Sequence, residues 1–371
     1  MKTLAVIGAS YLQRPLVEKA KAMGLRVICF AWVEGAVCAD IADRFYPISI
    51  VDKDEILHIC AEERVDGVCT IASDVAAPTV AYVAQELHLN GNNYHAAVSA
   101  NNKYLMRKAF TDAKIKCPRF TRITEDDETD FSEWHYPLIV KPCDRSGSLG
   151  VSLAKDSEEL QRSIEKALPL SFNHEAIVEE YIEGREISVE FISFKGRHYP
   201  LAITDKVTTE APHFVELEHH EPADLTPRLY GIINAATHRA LDSLGITEGA
   251  SHTEFKIDAN GNIFIIELGA RMGGDFIGSD LVMLSTGYDF VKGVIEVALG
   301  EFKKPVFGKR EYSGVYFLSK ETDRLLPFFD NPESIPGIVR VELFDRDLKY
   351  VQCSAERSGY LIYQSDKRVM I

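Results

Sequence analysis

The chain has 371 residues, 46% of them apolar, so it can bury enough apolar surface for two or three domains. Its 41 Lys and Arg against 56 Asp and Glu give a net charge of −15, which disfavours nucleic acid and anionic membrane surfaces as partners. The seven cysteines form no CxxC pair and no apolar run is long enough for a signal peptide or a membrane span, so we expect a cytoplasmic protein without disulfides or structural zinc.

The first hundred residues predict repeated β-α-β units. Residues 3–9 read as a buried strand, 14–23 as a helix and 26–31 as a second strand, after which the unit repeats. Right-handed crossovers make such strands parallel. The first strand-to-helix turn, GASYLQ, lacks the GxGxxG pattern, and no acidic residue ends the second strand. A dinucleotide site is therefore disfavoured, and a tight turn or a substrate-facing loop is expected instead.

From residue 101 the pattern changes to helices alternating with paired strands. A helix is predicted from Lys103 to about Ala113, capped by a preceding asparagine. The strands PLIVKP and VSLAK predict a hairpin with the small-residue tip DRSGSLG, and residues 176–193 hold two strands around a turn at Glu183-Gly184. A helix follows over 226–244, and short strands run from about residue 305 to the end. The predicted fold class combines α/β and α+β parts.

The hairpin HTEFKIDANGNIFIIELGA places two carboxylates opposite one another. A two-residue Asn-Gly turn sets a register that pairs Glu254 with Glu267. Because side chains alternate along a strand, Ile263 and Ile265 are expected on the face of Glu267. Like charges directly across a ladder are destabilising, unless a hard cation such as Mg²⁺ lies between them. Two exposed glutamates on a sheet edge are the alternative interpretation.

Cationic and glycine-rich segments complete a predicted ATP-Mg²⁺ site. Lys141 ends a strand and Arg271 follows Glu267 closely, so both can neutralise a polyphosphate. Backbone N–H groups of Ser146, Gly147 and Ser148 can cradle phosphate oxygens, since glycine lets the backbone approach closely. The chain contains no GxxxxGK[ST] segment, so this is not a P-loop.

Five ordered motifs carry a resemblance to a known family. Asn102-Lys103, IVKPCDRSGSLGV, VEEYIEGRE, HTEF and IIELGAR, in this order and spacing, resemble the ATP-grasp superfamily, most closely its L-amino-acid ligase and carbamoyl-phosphate-synthase-like branch. The resemblance implies a Rossmann-like pre-ATP-grasp domain over 1–100 and a two-lobed ATP-grasp domain over 101–304, with a mobile lobe at about 118–185. A small β-rich domain over 305–371 completes the expected organisation.

The resemblance also implies a role for each matching position. Lys103 and Lys141 match phosphate-contacting lysines, and residues 144–150 match the mobile loop over the triphosphate. The remaining matches are Glu179, Glu180, Tyr181 and Ile182 for adenine, Glu186 for ribose, Lys206 for the γ-phosphate, Glu254 and Glu267 for Mg²⁺ or Mn²⁺, and Arg271 for the transferred phosphate. Catalysis is thus assigned to Arg271, Lys141 and Lys206.

One position departs from the family pattern. The common sequence after the strand is Glu-x-Asn-x-Arg, and Gly269 stands where the asparagine is expected. The second magnesium then loses a side-chain ligand, which water or phosphate would have to replace. Gly273 and Gly274 are expected to present N–H groups to a substrate carboxylate or acyl phosphate, with a simple chain bend as the alternative.

The substrate pocket is predicted from residues 211–225 and the segment after Arg271, which most resemble L-amino-acid ligases. The predicted lining residues are His213, Glu216, His219, Arg271, Gly273 and Gly274, with His220 as a further candidate. Three close histidines also invite a zinc interpretation, but their spacing matches no standard site, so a solvated loop is preferred. His252 is interpreted as a satisfied strand residue and Cys143 as loop packing.

The predicted function is an ATP- and Mg²⁺-dependent ligase that joins a small-molecule carboxylate to an amine through an acyl phosphate, releasing ADP and phosphate. A homodimer is compatible with the family. The alternatives are a purine-pathway carboxylase or ligase resembling phosphoribosyl-glycinamide synthetase, and a nucleotide-binding module without turnover in which Gly269 is the lesion. A nicotinamide-dependent oxidoreductase is the weakest interpretation, because the ribose-binding acid is missing.

Overall fold

The N-terminal part of the chain is a parallel sheet flanked by helices. The computed structural model describes residues 1–127, 129–211 and 213–371. The first strands are β1 Thr3–Ile7, β2 Arg26–Phe30, β3 Arg44–Tyr46 and β4 Gly67–Cys69. The helices between and after them are α1 Arg14–Ala22, α2 Lys53–Glu62, α3 Ala77–Glu86 and α4 Tyr94–Asn101. The strand order is β3-β2-β1-β4 and all pairs are parallel, as the β-α-β pattern predicts.

A small antiparallel sheet forms the next unit. Its strands are β5 Phe120–Ile123, β6 Leu138–Pro142, β7 Ser152–Ala154 and β8 Ala176–Glu180, and the helices are α5 Lys103–Asp112 and α6 Ser157–Ala167. The order is β5-β8-β6-β7. Leu138 pairs with Ala154, which confirms the predicted hairpin. Helix α6 packs on this sheet around Trp134 and Leu160.

The largest sheet has eight antiparallel strands. They are β9 Arg185–Phe194, β10 Arg197–Thr208, β11 Glu216–Glu221, β12 Gly249–Ile257, β13 Ile263–Gly269, β14 Tyr312–Leu318, β15 Ile338–Leu343 and β16 Gly359–Ser365. The remaining helices are α7 Pro227–Leu244, α8 Val282–Thr286, α9 Phe290–Ala298 and α10 Leu326–Asp330. The order is β13-β12-β9-β10-β11-β14-β16-β15. The C-terminal strands therefore extend this sheet through the β11–β14 pair, and the domain boundaries at 100 and 304 remain predictions.

The two faces of the large sheet carry different kinds of side chain. Alternate residues of β9 and β12, such as Val189, Phe191 and Phe255, pack with α5 and α7 in an apolar core. The intervening residues, such as Glu186 and Glu254, face the opposite side. Period-two alternation thus places a row of charged side chains on one face, backed by the rigid core on the other.

The predicted turn at Glu183-Gly184 joins two different sheets. Strand β8 belongs to the small sheet and β9 to the large one, so this turn is the link between the lobes rather than a hairpin within one sheet. A Cβ atom on Gly184 would lie 2.3 Å from the carbonyl oxygen of Ile257. Only glycine permits this close approach of the two chain segments.

The β12–β13 hairpin pairs Glu254 with Glu267, as predicted, but by a different path. Lys256 pairs with Phe264 and Phe255 with Ile265, which is one residue out of the predicted register, because the loop is longer than an Asn-Gly two-residue turn. A bulge at Ile266 then restores the predicted pairing at Glu267. Because the bulge adds one residue, odd-numbered residues before it and Glu267 after it lie on opposite faces of the strand. The expectation that Ile263 and Ile265 share the face of Glu267 is therefore wrong, since both contribute to the apolar core.

The helices of the described residues include none that is both long and apolar enough to cross a membrane.

Candidate active site

A cavity of about 460 Å³ lies where the three sheets meet, and all of them contribute side chains to its walls. The residues predicted from the sequence that line it are Lys103, Lys141, Ser146, Gly147, Ser148, Glu179, Glu180, Tyr181, Ile182, Glu186, Lys206, Glu216, His219, Glu254, Glu267, Arg271 and Gly274. The fold therefore brings almost the whole predicted set into one cleft.

Two residues predicted to line the substrate pocket lie elsewhere. His213 lines a separate surface groove with Lys155 and Glu159. Gly273 is buried, and its N–H donates to Oε2 of Glu190 at 3.0 Å, so this group is not free to bind a substrate carboxylate. Neither residue is among the described residues that line the cavity, so their roles at the substrate remain predictions. The N–H of Gly273 bonds to Glu190 of β9, a contact that local sequence does not reveal.

A buried ion network holds Lys141 at the end of β6. Its ammonium lies 2.6 Å from Glu179 Oε2, and Arg107 Nε donates to the other oxygen of Glu179 at 2.5 Å. Burial alone would raise the pKa of Glu179, but Arg107 and Lys141 lower it to about 2. The side chain of Glu179 thus supports Lys141, which leaves only its backbone for contact with adenine. Arg107 was missed, although it lies one turn after Lys103 on the buried face of α5.

Lysines face the predicted metal ligands. Lys103 Nζ lies 3.1 Å from Glu267 Oε1 and donates to the carbonyl oxygen of Arg145 at 2.5 Å. Lys206 Nζ lies 2.5 Å from Oε1 of Glu254, and it also contacts Glu186 at 3.0 Å. Burial opposes the charge of Lys206, but these carboxylates raise its pKa well above the usual value. Each predicted metal ligand therefore already has a charged partner on one of its oxygens.

The carboxylate pair fits a magnesium ion that keeps several non-protein ligands. Glu254 and Glu267 are cross-strand neighbours, and both present hard oxygen donors to the cleft. Across the residues that the structure describes, no group of three or more His, Cys, Asp or Glu side chains is placed to hold a metal. Mg²⁺ commonly binds through one or two carboxylates, water and substrate phosphates, so two carboxylates satisfy this requirement, whereas a structural zinc site needs more protein ligands.

His252 has an ionic partner that sequence reasoning did not find. Its Nδ1 bonds to Oε1 of Glu190, which lies directly across the β9–β12 ladder, and its Nε2 lies 3.3 Å from Oε1 of Glu254. Burial would lower the pKa of His252, but Glu190 and Glu254 raise it to about 9. The imidazole therefore bridges two carboxylates, and is not merely a satisfied strand residue.

Arg271 is clamped by an acid from the parallel sheet. Its Nε and Nη2 lie 2.8 and 2.7 Å from the two carboxylate oxygens of Asp74, a bidentate pair. Burial would raise the pKa of Asp74, but Arg271 lowers it. Asp74 lies beyond the carboxyl end of β4, the edge of a parallel sheet where ligands usually bind. That rule is the signal that identifies Asp74 as a candidate.

The Asp74–Arg271 pair explains the glycine at position 269. A Cβ atom on Gly269 would lie 2.5 Å from Asp74 Oδ1 and 3.1 Å from Arg271 Nε. An asparagine in this place would collide with the pair. The departure from the Glu-x-Asn-x-Arg pattern is thus matched by an acidic group that enters from another part of the chain.

The two histidines of β11 point to opposite faces of the strand. His219 is buried at the cavity wall with both ring nitrogens unpartnered among the described residues, and burial lowers its pKa to about 3. His220 points to the opposite face, where its nitrogens lie 2.9 Å from the hydroxyl of Tyr363 and 3.1 Å from Glu218. His219 and His220 are therefore buried strand residues and not parts of a solvated loop.

The loop over the cleft is anchored at its base and free at its tip. Asp144 accepts bonds from the hydroxyl of Ser171 and the N–H groups of Phe172 and Asn173 at 3.0 to 3.1 Å. At the tip Gly147 has a positive φ of 64°, and a Cβ there would meet nothing within 4 Å. Leu149 is half exposed. Cys143, before the loop, is buried with its pKa raised to about 12, in keeping with packing.

We expect residues 144–150 to become resistant to proteolysis when ATP and Mg²⁺ are added, because phosphate binding would close the loop over the cleft. Limited digestion with a broad-specificity protease, with cut sites mapped by mass spectrometry, would measure this. Cuts in the exposed segment around Lys309, which lies outside the cleft, serve as the internal control. Equal cleavage of the loop with and without nucleotide would remove it from the site.

The fold and the site define an α/β protein with a charged cleft between two antiparallel sheets. Residues 134–280 match the family described as the ATP-grasp domain. The matched range covers less than half of the chain and includes the strands that carry Lys141, Glu254 and Glu267.

Similar proteins include ligases. The chain is 31% identical to alanine–anticapsin ligase of Bacillus subtilis over an alignment of 245 residues that covers 60% of this chain and 51% of that protein. It thus spans about half the length of the curated relatives that it matches first. An L-amino acid ligase from Bacillus licheniformis has the same fold, with a TM-score of 0.79, 24% identity and coverage of 99% and 94% of the two chains. Phosphoribosylglycinamide synthetase from Anaerococcus prevotii also has this fold, with a TM-score of 0.77, 21% identity and coverage of 99% of this chain and 94% of that chain.

Proposed function

We propose that the protein is an ATP- and Mg²⁺-dependent ligase that joins a small-molecule carboxylate to an amine and releases ADP and phosphate. The observation that carries this proposal is the convergence of the Glu254–Glu267 pair with Lys103, Lys141 and Arg271 in one cavity. Two opposed carboxylates among three cations suit a metal-bound triphosphate, whose transfer depends on positioning and electrostatics.

Residues at one end of the cavity suit the adenine and ribose groups of ATP. Tyr181, Ile182 and Phe214 line one end, and the Ile182 amide has no acceptor within the described ranges, so it is free to bond adenine. Glu186 lines the cavity next to them, where ribose hydroxyls would follow. The triphosphate then extends toward Lys103 and Lys141, under the loop of residues 144–150.

The reaction has two displacement steps. An oxygen of the first substrate's carboxylate attacks the γ-phosphorus, the bond to the bridging oxygen breaks, and ADP leaves with that electron pair. The amine of the second substrate then attacks the acyl carbon, the carbon–oxygen bond to phosphate breaks, and the nitrogen gives up a proton. Mg²⁺ or Mn²⁺, held by Glu254 and Glu267, would neutralise phosphate charge. Arg271, Lys141 and Lys206 stabilise the transferred group electrostatically.

The substrate end of the cavity lies beyond Arg271. Glu216, His219 and Gly274 line it, and Asp275 forms a bidentate pair with Arg357 at 2.8 Å for both contacts. This mixture of acidic, basic and neutral polar groups suits substrates that carry both a carboxylate and an amine. We further propose amino acids as the substrate class, a cytoplasmic location, which the unpaired and mostly buried cysteines support, and a homodimer.

The decisive test is ADP release coupled to amino acids, supplied singly and in pairs with ATP and Mg²⁺, with mass spectrometry of the products. We expect a product whose mass equals two amino acids less one water. ADP release that requires bicarbonate or a nucleotide precursor instead would favour the purine-pathway alternative. Nucleotide binding without ADP release under any of these conditions would favour a binding module and overturn the proposed turnover.

A further inference from the structure

Behind the proposed metal ligands lies a buried pair that the two reaction steps do not use. Glu190 and His252 face each other across β9 and β12, and Glu190 is entirely buried. One oxygen of Glu190 bonds to His252 Nδ1, and the other accepts the N–H of Gly273 at 3.0 Å. The pair thus contacts both the strand that carries Glu254 and the loop that carries Arg271.

The contacts on Glu254 are asymmetric. His252 Nε2 and Lys206 Nζ both approach the same oxygen, Oε1, at 3.3 and 2.5 Å. Within the part of the chain that the structure describes, no donor contacts Oε2 of Glu254. One oxygen is therefore anchored by two nitrogen groups, and the other is left for a metal ion. Partners behind a metal ligand commonly fix its orientation in this way.

We propose that Glu190 is a positioning residue that acts through His252 and the Gly273 amide to hold Glu254 and the Arg271 loop in one arrangement for the metal–nucleotide complex. This inference rests on the proposed function. A carboxylate that is wholly buried is costly unless it is fully bonded, and an apolar pair would serve the sheet as well. Here each oxygen of Glu190 supports a different element of the site.

The test is Mn²⁺ affinity, measured by electron paramagnetic resonance in the presence of the β,γ-imido analogue of ATP, so that turnover is not required. For Glu190→Gln we expect the Mn²⁺ dissociation constant to rise about 10- to 100-fold, the usual effect of losing an outer partner of a metal ligand. Glu221→Gln is the matched control, since Glu221 is also wholly buried but, among the described residues, its carboxylate bonds to the hydroxyls of Thr204 and Ser285 alone. Its Mn²⁺ affinity should stay within twofold of wild type.

A second variant separates positioning from simple charge effects. His252→Asn can keep a donor near Glu190 but loses the nitrogen that faces Glu254. Loss of positioning predicts weaker Mn²⁺ binding in this variant, whereas a role of His252 through charge alone predicts tighter or unchanged binding. Tighter or unchanged binding in this variant, or wild-type affinity in Glu190→Gln, would overturn the inference while leaving the proposed function intact. A wild-type protein that binds the nucleotide analogue but no Mn²⁺ would overturn both.

Discussion

Replacement of Glu267 by Gln is expected to reduce ADP formation about 10²–10³-fold, the range that follows loss of one preorganised electrostatic group, while ATP binding weakens only modestly. The amide keeps the shape of the side chain but removes the charge that faces Lys103 and the proposed metal. Most contacts of the nucleotide come from other residues of the cavity, so its affinity is largely retained. Steady-state ADP release and calorimetric titration with ATP and Mg²⁺ measure the two effects.

The control for this variant is Glu301→Gln, an exposed acid that pairs with Lys2 at the surface. It should retain wild-type turnover, because the neutralised charge lies outside the cavity. Full activity in Glu267→Gln would remove Glu267 from the metal assignment and, with it, the carboxylate pair on which the proposed function depends.

Replacement of Arg271 by Lys is expected to lower the rate of phosphoryl transfer about 10³-fold, as loss of an arginine that stabilises a transferred phosphoryl group does. A lysine keeps the charge but cannot reproduce the bidentate contact with Asp74. The ammonium would therefore lose its fixed position. Single-turnover measurements at saturating ATP isolate this step from nucleotide binding.

Two further variants serve as a weaker disruption of the same contact and as a control. Asp74→Asn should cause a smaller loss of the same kind, because Arg271 stays charged but is held less firmly. Arg162→Lys, in an exposed pair with Glu158 on α6, should change nothing. If Arg271→Lys turned over at the wild-type rate, the guanidinium would have no part in stabilising the transferred phosphate.

The resemblance carried by the ordered motifs implied most of the site residues, and local periodicity accounts for the faces of some of them. Lys141 lies near the end of a strand and Glu254 alternates with core residues, so their faces follow from the sequence alone. The hairpin register shows the limit of this reasoning. The pairing of Glu254 with Glu267 was predicted correctly, although the loop is longer than predicted and the strand contains a bulge that was not predicted. The bulge at Ile266 shifts the register by one residue and so offsets the longer loop.

The residues that were missed all act across long stretches of chain. Asp74 meets Arg271 from another sheet, and Glu190 meets His252 from a strand more than 60 residues earlier. Periodicity gives the face on which a residue lies but not the partner that faces it. The same limit explains why the Gly273 N–H was assigned to a substrate, although it donates a hydrogen bond to Glu190.

The close fit at Gly269 also constrains how this sequence can change. Because a side chain there would overlap the Asp74 carboxylate, the asparagine of the common pattern cannot be introduced by itself without displacing the clamp on Arg271. Loss of the Asp74 carboxylate, in turn, would leave Arg271 without its partner. The two positions are therefore epistatic, and a lineage could exchange one arrangement for the other only by passing through a poorly active intermediate or by changing both together.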